Sequence, residues 1–230
     1  MGHYKAASFD PELLALHACT LLLAAQSGLP LNRLGKDITV LLEQICGNNF
    51  VHKLRAISLF EAGFNWRNKL IFAKRMMWDT VEQGLISQEL FAKKGSYAIH
   101  AIMYENFFCD ISKVLYWAAA LNCVDLGNCY DRVAHPSSSI ILRAWGIHLS
   151  TTKVILVALQ TMQFCLRTRF GESTLTYGGT ADNPNQGSGQ GNGGAPPIFS
   201  NLSSLMVNVY KCHGNEATRM TLSYTCRLLY

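Results

Sequence analysis

The chain has 230 residues, enough for one large domain or two small ones. Apolar residues make up 49% and charged residues 15%, which excludes a disordered composition and allows a real core. The net charge of +5 is unevenly spread: beyond Asp125 only Asp131, Glu172, Asp182 and Glu216 stand against eight Lys and Arg. That balance suits a polyanionic partner, and equally an ordinary domain surface.

In chain order, "DPELLALHACTLLLAA" predicts a helix through Leu13–Ala25, with Asp10 as N-cap and Pro11 at its first position. The apolar run is too short to span a bilayer, and the acids before it argue against a signal peptide. No membrane partner is expected, and the expected location is intracellular, nuclear or cytoplasmic. Helical spacing recurs through Ile38–Ile45, after which Cys46–Asn49 is a break. Phe50–Phe60 carries β-branched and aromatic residues in partial alternation and reads as strand or hairpin. "NWRNKLIFAKRMMWDTVEQGL" returns to helix, with Leu70, Ala73, Met77, Thr80 and Val81 expected inward, and "SYAIHAIMYENFFCDISKVLYWAAA" is another long helical stretch.

"ALNCVDL" then reads as a short buried strand ending at Asp125, followed by helices over "HPSSSIILRAWGI" and "STTKVILVALQTM". Alternation on both sides of Gly171-Glu172-Ser173 suggests a β-hairpin. Residues 178–194 are glycine-rich without apolar periodicity. "PPIFSNLSSLMVNVYKC" closes as a helix with Ile198, Leu202, Leu205, Met206 and Val209 expected inward. The order predicts an α+β fold, helix-rich with a small antiparallel sheet. The eight cysteines form no CxxC pair, which removes the spacing of a structural zinc site. They lie in apolar runs and read as small buried residues in a reducing compartment.

The stretch "CVDLGNCYDRVAHP" carries chemistry. An Asp at the end of a buried strand is costly unless a charge meets it, and Mg²⁺ held by one or two carboxylates plus phosphates is one answer. The alternative is that Asp125 is a turn residue and Asp131 pairs with Arg132 or Arg143. The loop "GQGNGGAPPIF" fits GxGxxG only formally: no apolar strand precedes it, and no P-loop Lys-Ser follows. Alone it reads as a linker.

Together these stretches resemble reverse transcriptases, especially those of retroelements without long terminal repeats. Asp125, Tyr130, Asp131, His135 and Pro136 match the first catalytic motif of that family. Gln190, Gly191, Ala195, Pro196 and Phe199 match its glycine-loop motif. Arg55, Ile57, Ser58, Leu59, Asn68, Lys69 and Arg75 match its fingers motif. The resemblance spans roughly residues 51–211. It implies a right-hand polymerase fold: an unassigned N-terminal helical region over 1–50, a fingers-like part over 51–118 and a partial palm over 119–230. It also implies an RNA or DNA template with its primer and deoxynucleoside triphosphates as partners. The cofactor implied is Mg²⁺, two ions in the family, with Mn²⁺ as a substitute. By the same resemblance Asp125 is the catalytic, metal-binding residue. Arg55, with Lys53 second to it, contacts the triphosphate. Tyr130 lies under the incoming sugar, Gln190 and Gly191 bind on the nucleotide and template side, and Gly189, Ala195 and Pro196 shape that loop. Lys69, Lys74 and Arg75 read as a solvated helix face.

The family's second motif brings a pair of Asp to the metals, and two-metal transfer needs them. This sequence has no Asp after Asp182. The expectation is a fragment that lacks that motif and the thumb and does not extend primers by itself. The alternatives are a non-catalytic nucleic-acid-binding remnant and a helical interaction domain with a flexible glycine-rich insert.

Overall fold

The computed structural model describes residues 10–43, 45–47, 50–88, 90, 95–118, 121–124, 127–214 and 221–224, with backbone alone at 52, 121–124, 213–214 and 221–224. Helix α1 (Pro11–Ser27) starts as the sequence dictates: the Asp10 carboxylate accepts the Glu12 and Leu13 N–H groups at 3.0 and 3.2 Å. Gly28, at φ 74°, ends it.

The next segment corrects the helical expectation for Ile38–Ile45. Lys36–Glu43 is strand β1, and it lies inside the sheet. Strand β2 (Leu54–Leu59) pairs with it antiparallel, with Val40 opposite Ile57 and Leu42 opposite Arg55. On its other side β1 pairs in parallel with β4 (Gln163–Thr168), Asp37 standing opposite Phe164. Strand β5 (Gly171–Gly178) adds antiparallel to β4. The four-stranded order is β2-β1-β4-β5, so the sheet is mixed and not purely antiparallel. The parallel pair is possible because the whole helical middle of the chain serves as the crossover. It also shows why β1 reads poorly: it is paired on both sides, and continuous apolar runs do not alternate. The turn of the β4–β5 hairpin falls at Arg169–Phe170, one step before the expected Gly171-Glu172-Ser173.

Helix α2 (Ala62–Asn68) is capped by Glu61, whose Oε2 accepts the Phe64 N–H at 2.8 Å. It runs on without a break through a π-helical segment, Lys69–Met76, into α3 (Met77–Glu82). The buried positions are Gly63, Phe64, Arg67, Asn68, Phe72, Met76 and Thr80, whereas Leu70, Ala73 and Val81 are exposed and Met77 is half-buried. The π segment explains the difference: its i→i+5 bonding holds more residues per turn and slides the inner face to a repeat of four.

Helix α4 (Ala98–Val114) precedes the short strand β3 (Leu121–Val124), which pairs in parallel with β6 (Thr221–Tyr224). Helices α5 (His135–Ala144) and α6 (Leu149–Thr161) pack on each other, and α6 also packs on α1. Helix α7 (Ala195–Gly214) turns a different face inward from the one expected. Ile198 is buried with Ser200, Ser203, Ser204 and Val207; Leu202 is half-buried, and Leu205, Met206 and Val209 are exposed. Small side chains are needed there because backbone comes close: Ser204 Oγ accepts the Ser87 N–H at 2.6 Å and donates to the Leu85 carbonyl at 3.2 Å.

The core joins α2 and its π-helical continuation to α5, α6 and α7, with Phe60, Phe64, Phe72, Leu142, Ile155 and Ile198 among its members. Of the described cysteines, Cys19, Cys46, Cys109 and Cys212 are exposed, which corrects the expectation that they are buried, and Cys129 and Cys165 are half-buried, with Cys129 packed against the core. Cys226 and the Cys123 side chain lie outside the described residues. No helix among the described residues is long and apolar enough to cross a membrane.

Candidate nucleic-acid interface

Two segments far apart in sequence are bonded into one surface. The first is the turn 127–134 between β3 and α5. The second is the loop 187–194 before α7. Tyr130 offers its carbonyl to the Ser188 N–H at 2.7 Å and to the Ser188 hydroxyl at 3.1 Å. The Gly187 N–H donates to the Val133 carbonyl at 3.1 Å. His135, 2% exposed, reaches the Gly187 carbonyl with Nε2 at 2.7 Å. A carbonyl only accepts, so Nε2 carries the proton in this contact. Burial holds the ring below the usual imidazole range, and the Gly187 bond offsets part of that.

The Tyr130 ring is half-buried and meets Phe199 of α7 edge to face, at 5.8 Å and 82°. The neighbouring Asp131 is exposed, and its Oδ2 accepts from Gln190 Nε2 at 3.4 Å. Partial enclosure raises its carboxyl above the ordinary range, and the Gln190 bond works in the opposite direction. The expected ion pair of Asp131 with Arg132 or Arg143 does not form; the Gln190 amide takes that place.

The glycine loop is then seated on β2 and α2. The Gln190 carbonyl accepts the Ser58 N–H of β2 at 2.8 Å. Gly191 follows at φ 105°, with its Cα over the Ser58 carbonyl, where any Cβ would collide. Ile57 Cγ2 lies 3.6 Å from that same Cβ position. Arg55 is two residues back along β2, on the same face as Ile57, and is half-buried. Lys53 is exposed in the 3₁₀ turn before the strand. Gly189 rests over the Phe60 ring, Ala195 is buried at the first turn of α7 and Pro196 is exposed.

Three asparagines hold the loop's shape. Asn192 is 2% exposed, and its Oδ1 accepts from both Asn68 Nδ2 and the Gly194 N–H at 2.9 Å. Its Nδ2 donates to the Ser188 carbonyl at 2.9 Å. Asn65, one turn before Asn68 and Lys69, accepts the Gly193 N–H at 2.6 Å and donates to the Gly191 carbonyl at 3.2 Å. Asn65 and Asn192 are the residues that sequence reasoning missed. Amides carry no periodic signature, and each has a partner more than 120 residues away: the Gly191 and Gly193 backbone for Asn65 and the Asn68 side chain for Asn192.

The structure therefore brings Tyr130, Gln190, Gly191, Gly189 and Ala195 together against the strand that carries Arg55. Asp125 lies outside the described residues. Among the described residues no group of three or more His, Cys, Asp or Glu could hold a metal ion. Asp131, already bonded by Gln190, does not by itself make a Mg²⁺ site. No protein-family model and no curated protein matches the chain.

Proposed function

We propose that this chain is a reverse-transcriptase-like unit of fingers and partial palm that binds a primer–template, RNA or DNA, along the surface built from β2, the Tyr130 turn and the glycine loop. The observation that supports this reading most is the seating of the loop. Residues 187–194 are bonded to the Tyr130 turn on one side and to β2 and α2 on the other. Three motifs that mean little singly meet in one place, in the relationship the family resemblance requires. A flexible linker would not carry buried Gly187, Ser188, Asn192 and Gly194.

In this reading Arg55 and Lys53 face the nucleotide phosphates, Tyr130 the sugar, and Gln190 with Gly191 the template strand. Asp125 is the residue to which Mg²⁺ coordination is assigned, and the family reaction is template-directed addition of deoxynucleotides to a primer 3′-hydroxyl. The chain offers no Asp after Asp182 to complete a two-metal set, so its own activity is binding without extension.

The test is fluorescence anisotropy of a labelled RNA–DNA primer–template with the purified chain over a salt series, followed by primer extension with Mg²⁺ and deoxynucleotides. Salt-dependent binding without extension is expected. Absence of binding at low salt sinks the reading. Robust extension overturns the inactivity alone, and its loss in Asp125→Ala would then place the metal.

A further inference from the structure

Lys69 was expected on a solvated helix face, yet its stem is packed against the glycine loop. At Gly193 a Cβ would fall on Lys69 Cγ and lie 2.8 Å from Lys69 Cε and 2.8 Å from Asn65 Oδ1. The lysine stem thus crosses the loop where Gly193 lacks a side chain. Asn65, four residues earlier and so on the same helix face, pins the Gly193 N–H from the other side at 2.6 Å. Lys69 remains exposed, and among the described residues it has no acid partner. A stem laid along backbone with its ammonium in water is the ordinary way a lysine joins packing to charge. What is unusual is the seat: a glycine whose missing Cβ leaves room for this stem, in a loop held by three asparagines.

From this we infer that Lys69 is a further binding residue of the interface, a cation fixed at the loop's outer edge that contacts a phosphodiester of the strand running along residues 190–193. The inference rests on the proposed nucleic-acid reading and adds a residue and a contact class to it. A preset ammonium loses less side-chain freedom on contact than a freely solvated one. The contact is backbone-directed, so it is indifferent to base sequence.

The experiment uses a fluorescein-labelled RNA–DNA primer–template and the full chain, with affinity measured over a KCl series for wild type, Lys69→Gln, Lys74→Gln and Gly193→Ala. Lys69→Gln keeps most of the stem and removes the charge. It should flatten the slope of log affinity against log salt by about 0.7–0.9, the release of one counterion, and weaken binding about fivefold at low salt. Lys74→Gln removes an equal charge from the same helical run, on an exposed residue that is not among the atoms nearest any loop glycine, and should leave the slope unchanged. Gly193→Ala keeps the charge but displaces the stem, and should weaken binding. An unchanged slope in Lys69→Gln overturns the inference, as does equal flattening in both lysine variants. If the wild-type chain binds no primer–template, the functional reading fails and this inference with it, a result distinguishable from the other two.

Discussion

Asn68 and Asn192 are 124 residues apart and share a buried hydrogen bond of 2.9 Å, from the Nδ2 of the first to the Oδ1 of the second. Both are essentially out of water, at 0% and 2% exposure. The pair joins the continuous helix formed by α2, the π segment and α3 to the loop that leads into α7. The position of the loop is therefore a property of the core and not of loop composition.

Replacing the buried amide should be costly. Asn192→Ala strands the Asn68 Nδ2 and the Gly194 N–H as donors and the Ser188 carbonyl as acceptor. A loss of about 2–4 kcal/mol is expected, measured as a lower urea midpoint at unchanged m-value. A midpoint equal to wild type would mean that the network contributes nothing to holding the loop.

The sheet contains a second buried polar group with the opposite character. Asp37 is 3% exposed on β1, and neither carboxylate oxygen has a hydrogen-bond partner. Burial raises its carboxyl to about 6, and the nearby Ile38 backbone N–H, outside hydrogen-bond geometry, works against the rise. The folded chain thus binds this proton more tightly than the unfolded chain. Stability from this group is complete below about pH 4 and is lost as pH rises to about 6, after which the penalty levels off near about 3 kcal/mol. His135 runs the other way: its pKa is lowered, so its contribution is complete above about 6.5 and is lost as pH falls. The difference between wild type and Asp37→Asn in denaturation across pH 4–7 isolates the carboxyl. That difference should shift in favour of the variant as pH rises, and a pH-independent difference would show that Asp37 is not buried as described.

Asp131 supplies a test of where the nucleic acid runs. It is the acid bonded to Gln190, at the loop to which template contact is assigned. Asp131→Asn removes a negative charge beside a polyanion and should tighten primer–template binding about two- to fivefold at low salt, fading at high salt. Because the residue is exposed, stability should change by less than about 1 kcal/mol. Weaker binding in this variant would mean that the strand is not near Gln190.

The parts of the fold legible in the sequence were those with local chemical punctuation. Asp10-Pro11 announced α1, and the serines after Pro136 announced α5, which opens two residues earlier than they suggest, at His135. What could not be read depends on neighbours that come late in the chain. Residues 38–45 repeat their apolar positions in a way that fits a helix, and only pairing with β2 and β4 makes them a strand. The inner face of 62–82 was displaced by a π segment that no periodicity announces. In α7 Ile198 and, in part, Leu202 face inward as expected, but serines replace Leu205, Met206 and Val209 on the inner face, because backbone comes too close for larger side chains. At the site, the quoted motifs located the turn, the loop and the strand. The asparagines that join them, and the seat of Lys69 on Gly193, depend on distances that no spacing along the chain encodes.

The sheet order has one further consequence. Strands β2 and β4 never touch as a ladder; each reaches the other only through β1. The backbone tie between β2 and the β4–β5 hairpin thus comes from the first fifty residues, which the motif pattern leaves unassigned. Trimming the protein back to its motif-bearing portion would cut out that rung and leave β2 without a ladder partner, held beside the hairpin only by the core and the seated glycine loop.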